Sequence, residues 1–231
     1  MIADWLSFWD RPHSIYVSAR HRDVHYRLIA QELADLVPSS QARVLDYGSG
    51  EALHADLLAA AAGELLLCDG APSVRAALAV RFAGDTKIRI LSPADVERLP
   101  DGCVDFIVLH SVAQYLAPDQ MKMLLVLFRR LLKPNGVLLV SDIIPPQVGA
   151  AADVAALLRF SAGNGFFFAA LAGLARTLFS DYRRLRQNVG LTHYGEAAMI
   201  EKLDVAGFAG QRAARNIGHN QARMAFVARP R

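Results

Sequence analysis

Val44-Leu-Asp-Tyr-Gly-Ser-Gly-Glu-Ala52 is the stretch on which the reading of this chain turns. A short apolar strand, Arg43 to Tyr47, runs into Gly48 and Gly50 and then into an Ala/Leu-rich helical pattern from about Ala52 to Ala62. Glycines at such a junction let the backbone turn sharply and bring its N–H groups close to a ligand. Leu65-Leu-Leu-Cys-Asp69 reads as a second buried strand, and Asp69 closes it 19 residues beyond Gly50. A carboxylate placed there accepts hydrogen bonds from both hydroxyls of a ribose.

Further along the chain, apolar strands and helical patterns keep alternating. A helix is expected from Val74 to Phe82, a third strand at Ile88–Leu91 and a fourth at Val104–Leu109. Between Met121 and Leu132 the apolar positions Met121, Leu124, Leu125, Phe128, Leu131 and Leu132 fall at helical spacing. Lys133-Pro-Asn-Gly136 stops that helix, because proline cannot continue it and Asn-Gly tolerates positive φ. Val137–Ser141 makes a fifth strand, and Gln211–Ile217 and Ala222–Ala228 are expected to close the sheet. Near-continuous apolar strands separated by helices imply an α/β fold, a parallel sheet covered on both faces. Right-handed crossovers make it doubly wound, with ligands at the carboxyl ends of the strands where their order reverses.

Asp46 narrows the ligand. The glycine loop and Asp69 suit NAD and S-adenosylmethionine alike, but Asp46 puts a carboxylate where a dinucleotide would bring its pyrophosphate. That is electrostatically poor for NAD and favourable for a ligand carrying an ammonium and a sulfonium.

The pattern Val44-Leu-Asp-x-Gly-x-Gly50 resembles motif I of the class I S-adenosylmethionine-dependent methyltransferases. Asp95-Val-Glu-Arg-Leu-Pro100 resembles the acidic segment that follows the third strand in that family. Cys103–Val108 resembles its fourth-strand motif, and Leu131–Leu139 the motif leading into the fifth. The resemblance covers about residues 40 to 145. It implies a Rossmann-like, mostly parallel seven-stranded sheet with an N-terminal helical lid and a helical insertion after strand 5. It also implies cofactor contacts from Asp46, Gly48, Ser49, Gly50, Asp69, Gly70, Asp95 and Val96, with Asp95 meeting the adenine amino group and His110 lining the methionine side. Two positions depart from the pattern. Ala52 replaces the third glycine, and Ser92-Pro93 stand where a glycine often directly precedes the acid.

The whole chain is expected to be one methyltransferase domain: lid 1–40, cofactor core 41–145, substrate-side insertion 146–200 and closing strands 201–231. In the lid, Tyr16, Arg20 and Tyr26 are candidates to close over the cofactor, with Arg20 pairing its carboxylate. The insertion is strongly apolar, from Phe166 to Phe179, and ends in the basic run Arg183, Arg184, Arg186. It reads as an apolar lid, a homodimer contact or a peripheral membrane contact through residues 165–186. Leu191-Thr-His-Tyr-Gly195 and Gly207-Phe208 resemble the region before the last strands of quinone- and lipid-modifying methyltransferases. The expected reaction is methyl transfer to oxygen or carbon of a hydrophobic small molecule. His110 and His193 are the first candidates for a base, and His13 follows, because imidazole titrates near neutrality. A lipid or quinone methyltransferase and a non-catalytic cofactor-binding module are the alternatives.

Apolar residues make up 53% of the 231 and charged residues 20%, ample for a large core and too apolar for disorder. The formal charge of +3, with scattered arginines, argues against a nucleic-acid partner. Cys68 and Cys103 form no metal-binding or disulfide pattern and read as buried thiols, and no carboxylate cluster marks a metal site. The opening Met1-Ile-Ala-Asp-Trp5 lacks the pattern of a secretory signal, and no apolar run reaches bilayer length, so the expected location is the cytoplasm.

Overall fold

Strands β1 (Arg43–Tyr47), β2 (Glu64–Cys68), β3 (Ile88–Leu91), β4 (Val104–His110) and β5 (Leu132–Ile143) fall on the apolar runs expected from the sequence. In the computed structural model, which describes residues 2–11, 15–177 and 190–231, these five strands are parallel. β6 (Phe208–Arg212) and β7 (Met224–Pro230) complete a seven-stranded sheet of order β3-β2-β1-β4-β5-β7-β6. β7 runs antiparallel to both of its neighbours. The chain winds outward from β1 through β2 and β3, then crosses to β4 on the other side. The β1–β4 boundary is therefore the switch point where such sheets bind ligands.

Alternation along each strand supplies the two faces. Leu45, Leu66, Ile107, Leu138 and Val140 meet α6 (Pro118–Leu131) through Met121, Leu125 and Phe128. Met199 and Leu203 of α9 (Glu196–Val205) extend the same layer. On the opposite face Val44, Leu65, Leu67, Phe106 and Leu139 meet α2 (Ala19–Ala34), α3 (Ala55–Ala61) and α4 (Pro72–Arg81) through Ile29, Leu33, Leu58 and Leu78. α5 (Pro93–Glu97) follows β3. The expected α/β, Rossmann-like, mostly parallel seven-stranded architecture is present.

Three boundaries differ from expectation, each for a local reason. Lys133-Pro-Asn-Gly136 ends α6 yet lies inside β5, because Val104 pairs with Leu132 and Phe106 with Val137 around an irregularity in the ladder. Lys133 Nζ holds this bulge on Asp105 Oδ2 at 2.9 Å, and the Arg43 N–H donates to the same oxygen at 2.9 Å. β6 begins at Phe208, and beyond Arg212 the chain leaves the sheet for a loop tied by Asn216, Asn220 and Gln221 side chains. α9 spans the boundary expected at 200/201 and packs on the sheet layer through its buried Met199 and Leu203.

The segments outside the core are helical. α1 (Ile2–Trp9) and α2 precede β1, while α7 (Ala150–Asn164) and α8 (Phe167–Thr177) follow β5. Buried Trp5 lies 4.6 Å from the Tyr115 ring, and Asp10 Oδ1 accepts the Ser73 N–H at 2.8 Å near the start of α4. Arg223 grips Asp153 with two Nη2 contacts of 2.9 and 3.0 Å, joining the start of β7 to α7. Leu178, Phe179, Arg183, Arg184 and Arg186 lie outside the described residues, as does His13. Cys68 is buried and Cys103 only half-buried, and both thiols are free. Among the described residues no helix is long and apolar enough to cross a membrane.

Candidate active site

Gly48 and Gly50 turn the chain off β1 with φ of +83° and +57°. The N–H groups of Gly48 and Ser49 both donate to the Cys68 carbonyl, at 2.7 and 3.0 Å, so the turn hangs on the end of β2. The Asp69 carboxylate then bridges two loops: Oδ2 accepts the Gly50 N–H at 3.0 Å and Oδ1 the Ala71 N–H at 2.8 Å. Ala52, in place of a third glycine, is nearly buried and adopts φ +41°, so glycine's conformation is kept with a small side chain. Ser49 is buried, and its Oγ has no hydrogen-bond partner among the described residues.

Asp46 sits beneath this loop on the β1 side of the switch point, opposite Val108 of β4. Its half-buried carboxyl makes no hydrogen bond or ion pair among the described residues. Burial, reinforced by the nearby Asp69 carboxylate, pushes it up to about 7. Asp69 is also raised by burial, with the N–H groups of Ala71 and Gly50 and the Arg75 charge acting against the shift. Two carboxylates in one partly dry crevice attract a cation, because each destabilises the other's charge in its absence.

The helical segments close this crevice. The Tyr26 hydroxyl accepts the Glu51 N–H at 3.2 Å, and the Tyr16 ring lies 5.8 Å from the Tyr26 ring with the two hydroxyls hydrogen-bonded. An added Cβ at Gly70 would sit 2.9 Å from Leu6 Cδ1, so α1 lies directly over that glycine. Arg20 turns away: it is exposed, and its Nε donates to the Asn164 carbonyl beside Gly165.

Asp95 is drawn into its own turn. Its Oδ2 accepts the Ser92 N–H at 2.9 Å and lies 2.6 Å from Ser92 Oγ, while Oδ1 lies 3.1 Å from Arg98. The Val96 N–H donates to the Ser92 carbonyl at 3.1 Å. Ser92-Pro93, the departure seen in the sequence, thus builds a capping box that engages both acid and amide.

His110 ends β4 with its Nδ1 2.9 Å from Ser141 Oγ. Beyond it Ser111 and Asp142, at the ends of neighbouring strands, take φ of +58° and +62° and share a 2.8 Å hydrogen bond from Ser111 Oγ to Asp142 Oδ2. Left-handed φ on residues other than glycine costs on the order of 1 kcal/mol each and is often kept at functional sites. His193 does not join this group: it is exposed, on a segment tied down by Thr192 and Tyr194 N–H bonds to Gln114 and Ile144 carbonyls.

Sequence reading missed two imidazoles that the fold gathers instead, His25 of α2 and His219 of the loop before β7. Their ring centroids are 5.8 Å apart, and His21 lies 6.0 Å from His25. Burial lowers all three, His21 to about 4 and His25 well below the usual imidazole range. His21 and His25 stand four apart on one helix face, a legible signal. His219 had only its setting among turn-forming residues, Asn216-Ile-Gly-His-Asn-Gln221, to mark it. Among the described residues no three His, Cys, Asp or Glu side chains group to hold a metal ion.

Gly48→Ala should lower stability by about 1–3 kcal/mol, because the residue needs φ +83° and its Cβ would meet Val112 Cγ2 at 2.3 Å. Gly84→Ala, whose Cβ meets nothing within 4 Å, is the control. Denaturant unfolding of both variants checks this; equal stabilities would mean that the turn is more plastic than described.

Residues 45–140 match the family model described as methyltransferase domain. No curated protein matches the sequence. Among solved structures, the DhpI complex with SAH superposes with a TM-score of 0.62 at 15% identity, covering 99% of this chain and 96% of that one. Magnesium protoporphyrin IX methyltransferase (ChlM) from Synechocystis PCC 6803 with bound SAH gives 0.61 at 15% identity, covering 99% and 94%. The pyocyanin biosynthetic protein PhzM gives 0.61 at 15% identity over 97% of this chain and 61% of that one. At such identities the superpositions show the shared fold. The matched domain over residues 45–140, the ordered motifs and this sheet order together resemble those of the class I S-adenosylmethionine-dependent methyltransferases.

Proposed function

We propose that the protein transfers a methyl group from S-adenosylmethionine to oxygen or carbon of a hydrophobic small molecule. The observation that carries this reading is the unpartnered Asp46 carboxyl beside Asp69 at the sheet's switch point. When bound, S-adenosylmethionine supplies a methyl group activated by a sulfonium. The residues present fit it: Asp46 is free to hold its cationic part, Asp69 keeps lone pairs for ribose hydroxyls, and the orphaned Ser49 Oγ lacks a partner that a polar ligand can supply. Gly48 and Gly50 keep the loop's backbone open to close approach, and Gly70 under Leu6 brings α1 over the nucleoside side. Val96 and Asp95 mark the adenine end, where their engaged N–H and carboxylate leave shape as the main contribution.

In this reading residues 1–40 and 146–200 are lid and substrate-side parts of one domain. Tyr16 and Tyr26 exclude water from the glycine loop, and His110 faces the methionine side. Aligning acceptor and methyl group in a dry site supplies much of the rate. A hydrophobic acceptor suits the surrounding aromatic residues Tyr16, Phe160 and Phe166.

One observation favours a membrane-associated form. α8 presents Phe168 at 84% exposure, with Phe167 and Leu171 also exposed beside it. On that form the full-length protein co-sediments with anionic liposomes, and Phe168→Asp reduces the bound fraction several-fold. Wild type remaining in the supernatant removes it.

The cofactor reading predicts a particular pH dependence. An acid raised to about 7 is largely neutral below that value, so attraction for a cation grows as pH rises through it. S-adenosylmethionine affinity should fall about tenfold for each pH unit below ~7, whereas Asp46→Asn should bind weakly and without this slope. Calorimetric titrations between about pH 5.5 and 8 measure it. An Asp46→Asn protein with wild-type affinity would contradict the assignment.

A further inference from the structure

We infer that the cavity between α2, α7 and the loop before β7 is a second ligand site, built for an amphipathic monoanion: a carboxylate carried on an apolar body. The cavity encloses about 550 Å³, within the roughly 300–1,000 Å³ of small-molecule sites. Leu28 and Glu32, four apart on α2, form one wall, and Ala156, Arg159 and Phe160 of α7 form another. The loop contributes Arg215, Gly218 and His219.

The bonding of that loop shows which groups the fold leaves over. The Asn216 N–H donates to Gln221 Oε1 at 3.0 Å, and Gln221 Nε2 donates back to the Asn216 and Gly218 carbonyls at 3.0 and 2.7 Å. Asn216 Nδ2 donates to the Asn220 carbonyl at 3.1 Å and Asn220 Nδ2 to Asp153 Oδ1 at 2.9 Å. Gly218, at φ +85°, donates its N–H to Glu32 Oε2, and Arg223 is committed to Asp153. Of the polar side chains from 215 to 223, only Arg215 and His219 make no hydrogen bond or ion pair among the described residues. Both line the cavity. A loop knitted this way holds the cavity's shape before any ligand arrives, which lowers the ordering cost of binding.

The charges set the sign and valence of the ligand. Arg159 is exposed, and its Nε donates to the Ala155 carbonyl of its own helix at 3.3 Å, so its two terminal nitrogens stay open. Arg215 is exposed with its whole guanidinium open. Against them stands the half-buried Glu32, one oxygen of which is engaged by Gly218. Burial holds His219 below the usual imidazole range, so it adds no charge at about pH 7.5. Two guanidiniums against one carboxylate leave a single positive charge, which one ligand carboxylate balances. A phosphate dianion exceeds it and meets the Glu32 charge. Leu28 and Ala156 give the ligand's body an apolar surface, together with the part of the Phe160 ring that His219 does not cover.

The cavity is separate from the cofactor crevice. His219 faces His25 at 5.8 Å between centroids, His25 faces Tyr26 at 5.7 Å, and the Tyr26 hydroxyl meets the glycine loop at the Glu51 N–H. This layer of rings stands between the two sites, so the carboxylate binds without the cofactor.

Calorimetric titration of the full-length protein at about pH 7.5 tests charge and body separately, with octanoate, octanol, octyl phosphate and acetate as probes. One equivalent of octanoate should bind, about tenfold or more tighter than octanol, which lacks the charge, and than acetate, which lacks the body. Octyl phosphate should bind more weakly than octanoate. Arg159→Gln and Arg215→Gln should each weaken octanoate about tenfold and leave octanol unchanged. Both side chains are exposed, so their replacement spares the core. Lys122→Gln, which removes an exposed charge from α6, should keep wild-type affinity. Saturating S-adenosylhomocysteine should not displace octanoate. Absence of octanoate binding, equal affinity for octanol, or arginine variants with wild-type affinity overturns the anion site. Octyl phosphate binding more tightly overturns the monoanion, and acetate binding as tightly overturns the apolar body. Displacement by S-adenosylhomocysteine puts the carboxylate in the cofactor crevice and overturns the second site.

Discussion

Two carboxylates at the ends of adjacent parallel strands are held together in a half-buried crevice, and the rest of the site is arranged around the cost of that placement. β1 and β2 pair in register, Asp46 opposite Leu67, so Asp46 and the Asp69 that follows β2 emerge side by side. Asp69 meets part of the cost through two backbone N–H groups, while Asp46 meets none of it and retains its proton to about pH 7. A site like this is poorly disposed to phosphate and well disposed to a cation. The charge logic thus separates a methyl-donor cofactor from a dinucleotide on a fold that serves both.

Parts far apart in sequence complete the site because the sheet brings strand ends together. Tyr26 reaches the glycine loop from before β1, and His110 stands at the end of β4. Salt links and caps fix the pieces: Glu32 to Gly218, Arg223 to Asp153, Asp10 to Ser73. The strained pair Ser111 and Asp142 sits at the junction of β4 and β5, and Asp142 N–H is held by Asn216 Oδ1 at 2.9 Å. One loop therefore both buttresses the strained strand end and packs His219 against His25 and Phe160.

The core was legible because its signals are local. Apolar runs of strand length, a glycine pair after β1 and an acid after β2 each constrain a few neighbouring residues, and register follows from burial on both faces. Arg20 was misread, since nothing local says that its guanidinium would reach a helix C-terminus at Asn164 rather than the cofactor side. The dual use of Ser92 and Asp95 was half visible: Ser92-Pro93 signals a helix start, and that start engages the acid. β6 was displaced because Gln211–Ile217 is a mixed polar and apolar run with no clear strand pattern, and Asn216 and Gln221 side chains fold its second half into a loop. His25 and His219 meet only by tertiary contact, which periodicity does not carry.

Parallel calorimetric titrations with S-adenosylhomocysteine and with NAD at about pH 7.5 test the central claim most directly. The charge arrangement predicts micromolar binding of the first, about −8 kcal/mol, and none of the second. Tight NAD binding, or binding of neither, would contradict it.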